Sequence, residues 1–178
     1  MSKTGFGLLC AVLLVGPALR GQSAEQYIRA VVNKAGQLQI ETAAGQTIMI
    51  DPSEEQVGFD KVAIAPDGLS VGWVGLRENC CTSYPIPTRL TVYVQGTRHT
   101  FEGEGLPVWT WKFLDAGRQV AFHQETVHGG LGNHCELHDV ATGRLIAEWS
   151  PTIDPSGRAL PKQSPPKWVT KLVGDRVW

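Results

Sequence analysis

Two stretches of the chain carry the same alternation of apolar and polar positions. "APDGLSVGWVGL" (65–76) aligns with "LDAGRQVAFHQE" (114–125), so that Gly68 falls on Gly117, Val71 on Val120 and Trp73 on Phe122. Each copy is a tight turn feeding a period-two strand, with Val71 and Trp73, or Val120 and Phe122, on one face. Farther along, "LTVYVQGTRHTFEGE" (90–104) aligns with "CELHDVATGRLIAEW" (135–149), and both read as strand, polar turn, strand. An earlier hairpin, "LQIETAAGQTIMI" (38–50), has the same form. The pattern predicts half a unit followed by two full four-strand antiparallel units, 60–104 and 108–150, and an all-β fold.

At "APDG" and "DVATGRLI" the units resemble the repeats of periplasmic TolB-type β-propellers. In those, a Pro-Asp-Gly turn joins the first two strands of a blade and an Asp-x-x-Thr-Gly turn the last two. The resemblance covers residues 35–150 and implies blade-like meanders, with one departure: Leu114-Asp115-Ala116-Gly117 stands where the second unit should carry Pro-Asp-Gly. A closed propeller needs at least ~4 blades, and this chain supplies about two and a half. The expectation is therefore an open stack or sandwich of small sheets, or a homo-oligomer whose copies cover one another's edges. Propeller repeats serve both as binding platforms and as enzyme scaffolds, so the resemblance leaves function open.

The two ends read differently. Lys3 followed by the apolar run Phe6 to Val15 and small residues up to "GQSA" predicts a secretory signal peptide over 1–24, cleaved near Ala24. The run is short of the ~20 residues of a membrane span, so no membrane anchor is expected after cleavage. Cys10 does not fit a lipoprotein site, because Leu9 precedes it where a small residue belongs. Residues 25–150 form the predicted β domain and 151–178 a separate segment. That segment is a proline-rich connector from Pro151 to Pro166, then "PPKWVTKLVGD", read as a short helix in preference to an outer strand.

Charge changes the picture only by exclusion. Of 16 Lys and Arg, Lys3 and Arg20 belong to the leader, leaving 14 against 17 acidic residues and a formal charge of −3. With no basic block and no basic–aromatic interleaving, nucleic acid is not an expected partner. No phosphate loop or dinucleotide fingerprint occurs.

Candidate chemistry lies in three places. Export would put Cys80, Cys81 and Cys135 in an oxidising compartment, and the repeat alignment sets the loop carrying the pair beside the strand that Cys135 begins. This predicts a structural bond from Cys81 or Cys80 to Cys135. A strained vicinal Cys80–Cys81 bond with a redox role is the alternative, and either leaves one thiol over. The second place is "FHQETVHGGLGNHCELHD" (122–139), with four of the five histidines. If Val120, Phe122, Cys135 and Leu137 face the core, then His123, Glu125, His134, Glu136 and His138 gather on the other face. Their nitrogens and oxygens would suit zinc or copper bound across strands, since i and i+4 on one strand lie ~13 Å apart. The plainer reading is a solvated polar face. The third place is the loop Tyr84, Pro85, Ile86, Pro87, stiffened into an extended surface element.

"GLSVG" (68–72) matches a nucleophile elbow in letters only, because Ser70 enters an alternating strand with no helix after it. Of the six tryptophans, Trp73, Trp109 and Trp111 lie on strands and serve the core unless one face is exposed for stacking on sugars or peptides. Three functions follow in order. The first is an exported, non-enzymatic binding module for a protein or small-ligand partner. The second is a metal-binding protein or metallohydrolase using the 123–138 hairpin, and the third a redox-responsive protein using Cys80 and Cys81.

Overall fold

The structure is a computed structural model that describes residues 25–79, 82–129, 132–152 and 164–174. The predicted leader lies outside these residues. So do Cys80 and Cys81, and with them the expected disulfide.

Among the described residues, eleven strands form three antiparallel sheets. The first sheet holds β1 (Tyr27–Val32), β2 (Leu38–Thr42) and β3 (Thr47–Ile50) in sequence order. The second is the meander β4 (Gly58–Ile64), β5 (Ser70–Arg77), β6 (Ile86–Val94) and β7 (Thr97–Phe101). The third repeats it with β8 (Val108–Leu114), β9 (Gln119–Gln124), β10 (His134–Asp139) and β11 (Leu145–Trp149). No barrel closes. The arrangement is the open all-β stack of repeated meanders that the hairpin pattern predicts, with β1 as a strand the pattern did not identify. A short helix, α1 (Lys167–Val173), follows. Among the described residues no helix is long and apolar enough to cross a membrane.

The turns explain themselves locally. In the Pro66-Asp67-Gly68 turn, the Leu69 amide donates to Asp67 Oδ1 at 2.9 Å and Gly68 takes φ +72°. In the Asp139–Gly143 turn, the Thr142 amide and hydroxyl donate to Asp139 Oδ1 at 2.8 and 2.6 Å, and Gly143 takes φ +70°. These Thr142 hydrogen bonds hold the Asp139 carboxyl below its usual range. Asp115–Gly117 replaces the expected Pro-Asp-Gly turn with a 3₁₀ turn that fits against its counterpart. A Cβ on Gly117 would stand 2.8 Å from the Asp67 carboxylate.

Packing runs down the stack. Tyr27, Leu38, Ile40 and Ile50 of the first sheet meet Phe59, Val71 and Trp73 of the second. On its other face the second sheet presents Val74, Leu90, Val92 and Phe101 to Val108, Trp111, Val120 and Phe122 of the third. The aligned pairs Val71/Trp73 and Val120/Phe122 thus face the preceding sheet in both units. The middle strand β5 is buried on both faces, and Gly72 makes this geometrically feasible: a Cβ there would lie 2.5 Å from the Trp111 ring. Gly72→Ala should therefore lower unfolding free energy by about 1–3 kcal/mol through overpacking. Urea denaturation measures it, and an unchanged midpoint would mean that the Trp111 indole moves aside without cost.

The stack ends are closed in two ways. The outer face of the first sheet carries a polar cluster beside the exposed Met49: Arg29 pairs with Glu41 at 2.9 Å and Gln39 donates to the same carboxylate oxygen at 3.0 Å. At the other end α1 lays Val169 and Leu172 on Ala121, Cys135 and Leu137 of the third sheet. The helix begins after Pro166 and ends at Gly174, whose amide donates to Thr170 O at 2.8 Å. Lys112 Nζ donates to Lys171 O at 3.1 Å, clamping the helix C-terminus to β8.

Candidate functional site: a cleft beneath the terminal helix and a buried histidine–glutamate relay

The register of the third sheet decides where the histidines go. His134 lies opposite Gln124, Cys135 opposite His123, Glu136 opposite Phe122 and His138 opposite Val120. Cys135 and Leu137 therefore share a face with Ala121 and His123, toward α1, and His134, Glu136 and His138 share the face of Phe122, toward the second sheet. This corrects the expected grouping, which set Cys135 and Leu137 with Phe122 and all three histidines together. The physical reason is that both faces of this sheet are buried, so hydrophobicity did not specify which parity pointed where.

On the inner face β10 carries a continuous relay. His134 Nε2 lies 2.9 Å from Glu136 Oε1, and His138 Nε2 lies 2.6 Å from Glu136 Oε2. Each imidazole has a second partner, Ser150 Oγ at 2.9 Å from His134 Nδ1 and Gly143 O at 3.2 Å from His138 Nδ1. Burial pushes the Glu136 carboxyl up, but the hydrogen bonds from His138 and His134 and their charge outweigh it and hold it below the usual carboxylate range. Glu136 is thus an acceptor at both oxygens. Each imidazole can therefore donate from its Nε2 to one of the two carboxylate oxygens. His138 sits against Phe101 at 4.3 Å and Phe122 at 5.7 Å between ring centroids, so its ring is packed against two aromatic rings.

The same spacing bears on metal binding. On a strand, neighbouring positions of one face stand ~7 Å apart, and here the Glu136 carboxylate fills the gap between the two rings. Among the described residues no three or more His, Cys, Asp or Glu side chains form a group that could hold a metal ion. His123 is fully buried on the α1 side, with its Nε2 2.9 Å from Asn133 Oδ1. Glu125 lies past the end of β9, in the turn toward Gly129. Cys135 is buried in β10 between His123 and Trp149.

Ser70 is buried at the start of β5, which leaves its hydroxyl no access to a substrate. The presumed surface loop is shorter than expected. Tyr84 and Pro85 are exposed, but Ile86 and Pro87 open β6, opposite Arg77 and Leu76, and Pro87 is buried. The register shift beside Leu76 accommodates a proline in the strand.

Tyr84 nevertheless belongs to a site. It joins Trp109, Lys112, Glu125, His128 and the end of α1 around a cleft of about 1040 Å³. Three elements build it: β8, the 125–129 turn and α1. The Trp109 indole N–H donates to Glu125 O at 3.0 Å, which fixes the ring on the cleft wall. The Glu125 amide donates to Pro107 O at 3.3 Å and the Gly129 amide to Thr126 O at 2.9 Å, so the turn is itself held. Glu125 is buried, Tyr84 is half-exposed, and Thr110 and Thr126 add hydroxyls to the lining. Sequence reasoning singled out Tyr84 and Glu125 separately and for different reasons. It missed Lys112 and His128, and nothing in the pattern joins these positions, because α1 is brought to them by packing alone.

No family model and no curated protein matches the chain. Among solved structures it is similar to the "Kuenenia stuttgartiensis Hydrazine Synthase", with 14% identity and a TM-score of 0.41 over 75% of this chain and 38% of that chain. The chain thus spans well under half the length of that protein, and a likeness of this degree carries no functional argument.

Proposed function

We propose that the chain is an exported binding module built from propeller-like repeats, with its ligand seat in the cleft between β8, the 125–129 turn and α1. The observation that carries this reading is the pinned Trp109 ring lining an open cleft with Tyr84, among carboxylate, hydroxyl and imidazole groups. Flat apolar surfaces beside polar edges suit a saccharide, whose ring faces stack on aromatics while its hydroxyls take hydrogen bonds. The N-terminal apolar run of the sequence supports export, and the Pro-Asp-Gly and Asp-x-x-Thr-Gly turns support the likeness to TolB-type repeats.

Calorimetric titration of the purified protein with neutral and acidic soluble oligosaccharides tests the reading. We expect saturable binding by one of them, weakened about tenfold in Trp109→Ala, or about 1.4 kcal/mol. Tyr84→Ala, a change in an exposed loop, should weaken it less and leave the circular dichroism spectrum unchanged. Absence of saturable binding, or equal affinity in both variants, would count against the cleft as a saccharide seat.

A further inference from the structure

The outer end of the relay holds a group that binding does not use. Ser150 follows β11 directly, one position beyond the Cys135–Trp149 pair, which brings its hydroxyl across the hairpin to His134. Ser150 is exposed and His134 is buried, so a solvent-facing hydroxyl meets a desolvated imidazole. The hydrogen-bond directions follow from Glu136. As a carboxylate it only accepts, so His134 carries its proton on Nε2 and donates it to Oε1 at 2.9 Å. In the neutral ring Nδ1 then has only a lone pair, and the Ser150 hydroxyl at 2.9 Å is its donor.

We infer that Ser150 is an activated nucleophile, with His134 as its base and Glu136 as the group that fixes the tautomer of that base. Nucleophile, base and orienting carboxylate within hydrogen-bond reach of one another are the requirements for such activation, whichever ring nitrogen faces the serine. The structure adds two supports. Glu136 is itself held through its second oxygen by His138, 2.6 Å away, and His138 is held by Gly143 and two phenylalanine rings. Glu104 Oε1 lies 3.9 Å from His134 Nδ1, so an imidazolium formed by proton transfer is flanked by two carboxylates. Those negative charges favour the protonated base and disfavour an oxyanion at the attacked carbon. The acyl donors that suit the site are therefore small esters with good leaving groups, which need little stabilisation of the intermediate.

In the step, Ser150 Oγ bonds to the acyl carbon as its proton passes to His134 Nδ1. The bond from that carbon to the leaving oxygen breaks, and the phenol departs with the proton from His134. The products are O-acyl-Ser150 and the free phenol, with no oxidant or further reactant.

The probe is p-nitrophenyl acetate on the intact protein, followed by nitrophenol release and by peptide mapping of the acetyl group. We expect one acetyl on Ser150 per chain, and none at this position in Ser150→Ala, whose surface location spares the fold. His134→Asn should slow acetylation of Ser150 at least about 100-fold, the lower end of what a general base contributes. Because His134→Asn also touches a buried site, Glu104→Gln, at an exposed residue, supplies a second arm with a smaller decrease. Acetylation confined to lysines or the N-terminus would overturn the inference, and so would acetylation of Ser150 at an unchanged rate in His134→Asn. Neither result bears on the cleft, which faces the opposite side of the third sheet.

Discussion

Phe122→Ala should remove about 3–5 kcal/mol of unfolding free energy, the range for truncating a fully buried aromatic ring. Phe122 is wholly inaccessible in β9 and stacks on Phe101 of the second sheet at 6.3 Å and on His138 of its own sheet at 5.7 Å. One ring therefore joins the second sheet to the third and supports one wall of the relay. An alanine leaves a cavity that rigid strands on both sides cannot close. Urea unfolding followed by circular dichroism is the measurement, with the slope expected to stay near wild type. A loss under about 1 kcal/mol would mean that the second and third sheets are not packed through this residue. For comparison, an exposed hydrophobic such as Ile28, on β1, should change the midpoint little when truncated.

Glu136→Gln is expected to cost about 1–3 kcal/mol near neutral pH, in line with leaving buried hydrogen-bonding groups without their partner. The amide offers one acceptor oxygen to two imidazole donors and sets an N–H against the other ring. His138, with Gly143 O near its far nitrogen, loses the carboxylate oxygen 2.6 Å from its Nε2. The pH dependence follows from the direction of the Glu136 shift. Its folded pKa lies below the usual glutamate value near 4.5, so the native state binds this proton less readily than the unfolded chain. The stabilisation is therefore fully present above 4.5 and is lost as pH falls through the lower, folded value. Wild type and Glu136→Gln should differ most at neutral pH and converge on acidification below 4.5. Asp115 and Asp139 are also depressed, by hydrogen bonds from Arg118 and Thr142, and act in the same direction in both proteins. The difference between the two curves isolates Glu136. A gap that stayed constant from neutral pH to strongly acidic pH would show that the carboxylate is not what the relay needs.

Local chemistry made much of the fold legible. A turn such as Pro66-Asp67-Gly68 is specified by its own residues: the aspartate side chain accepts from Leu69 and the glycine takes the left-handed conformation. The same holds for Asp139, Thr142 and Gly143. Once such turns and the flanking alternation are aligned, the two four-strand meanders follow, and so does the direction in which Val71, Trp73, Val120 and Phe122 point. The helix after Pro166 and its stop at Gly174 were readable for the same reason.

Tertiary structure decided what alternation cannot encode. The second and third sheets are buried on both faces, so apolar and polar positions on β10 carry no signal for the side they face. The parity set by the 125–133 connection put His123 against α1 and His134, Glu136 and His138 against Phe101 and Phe122. The relay also needs Ser150 and Gly143 from across a hairpin, and the cleft needs Tyr84, Trp109, Glu125 and the end of α1, which stand far apart in the chain. Such sites arise from register and from the docking of a terminal helix. By itself the sequence determined the repeating β units and their turns, because those depend on neighbours in the chain. Which side chains meet was left to the packing of two-faced sheets, because burial on both sides erases the polarity that would have told them apart.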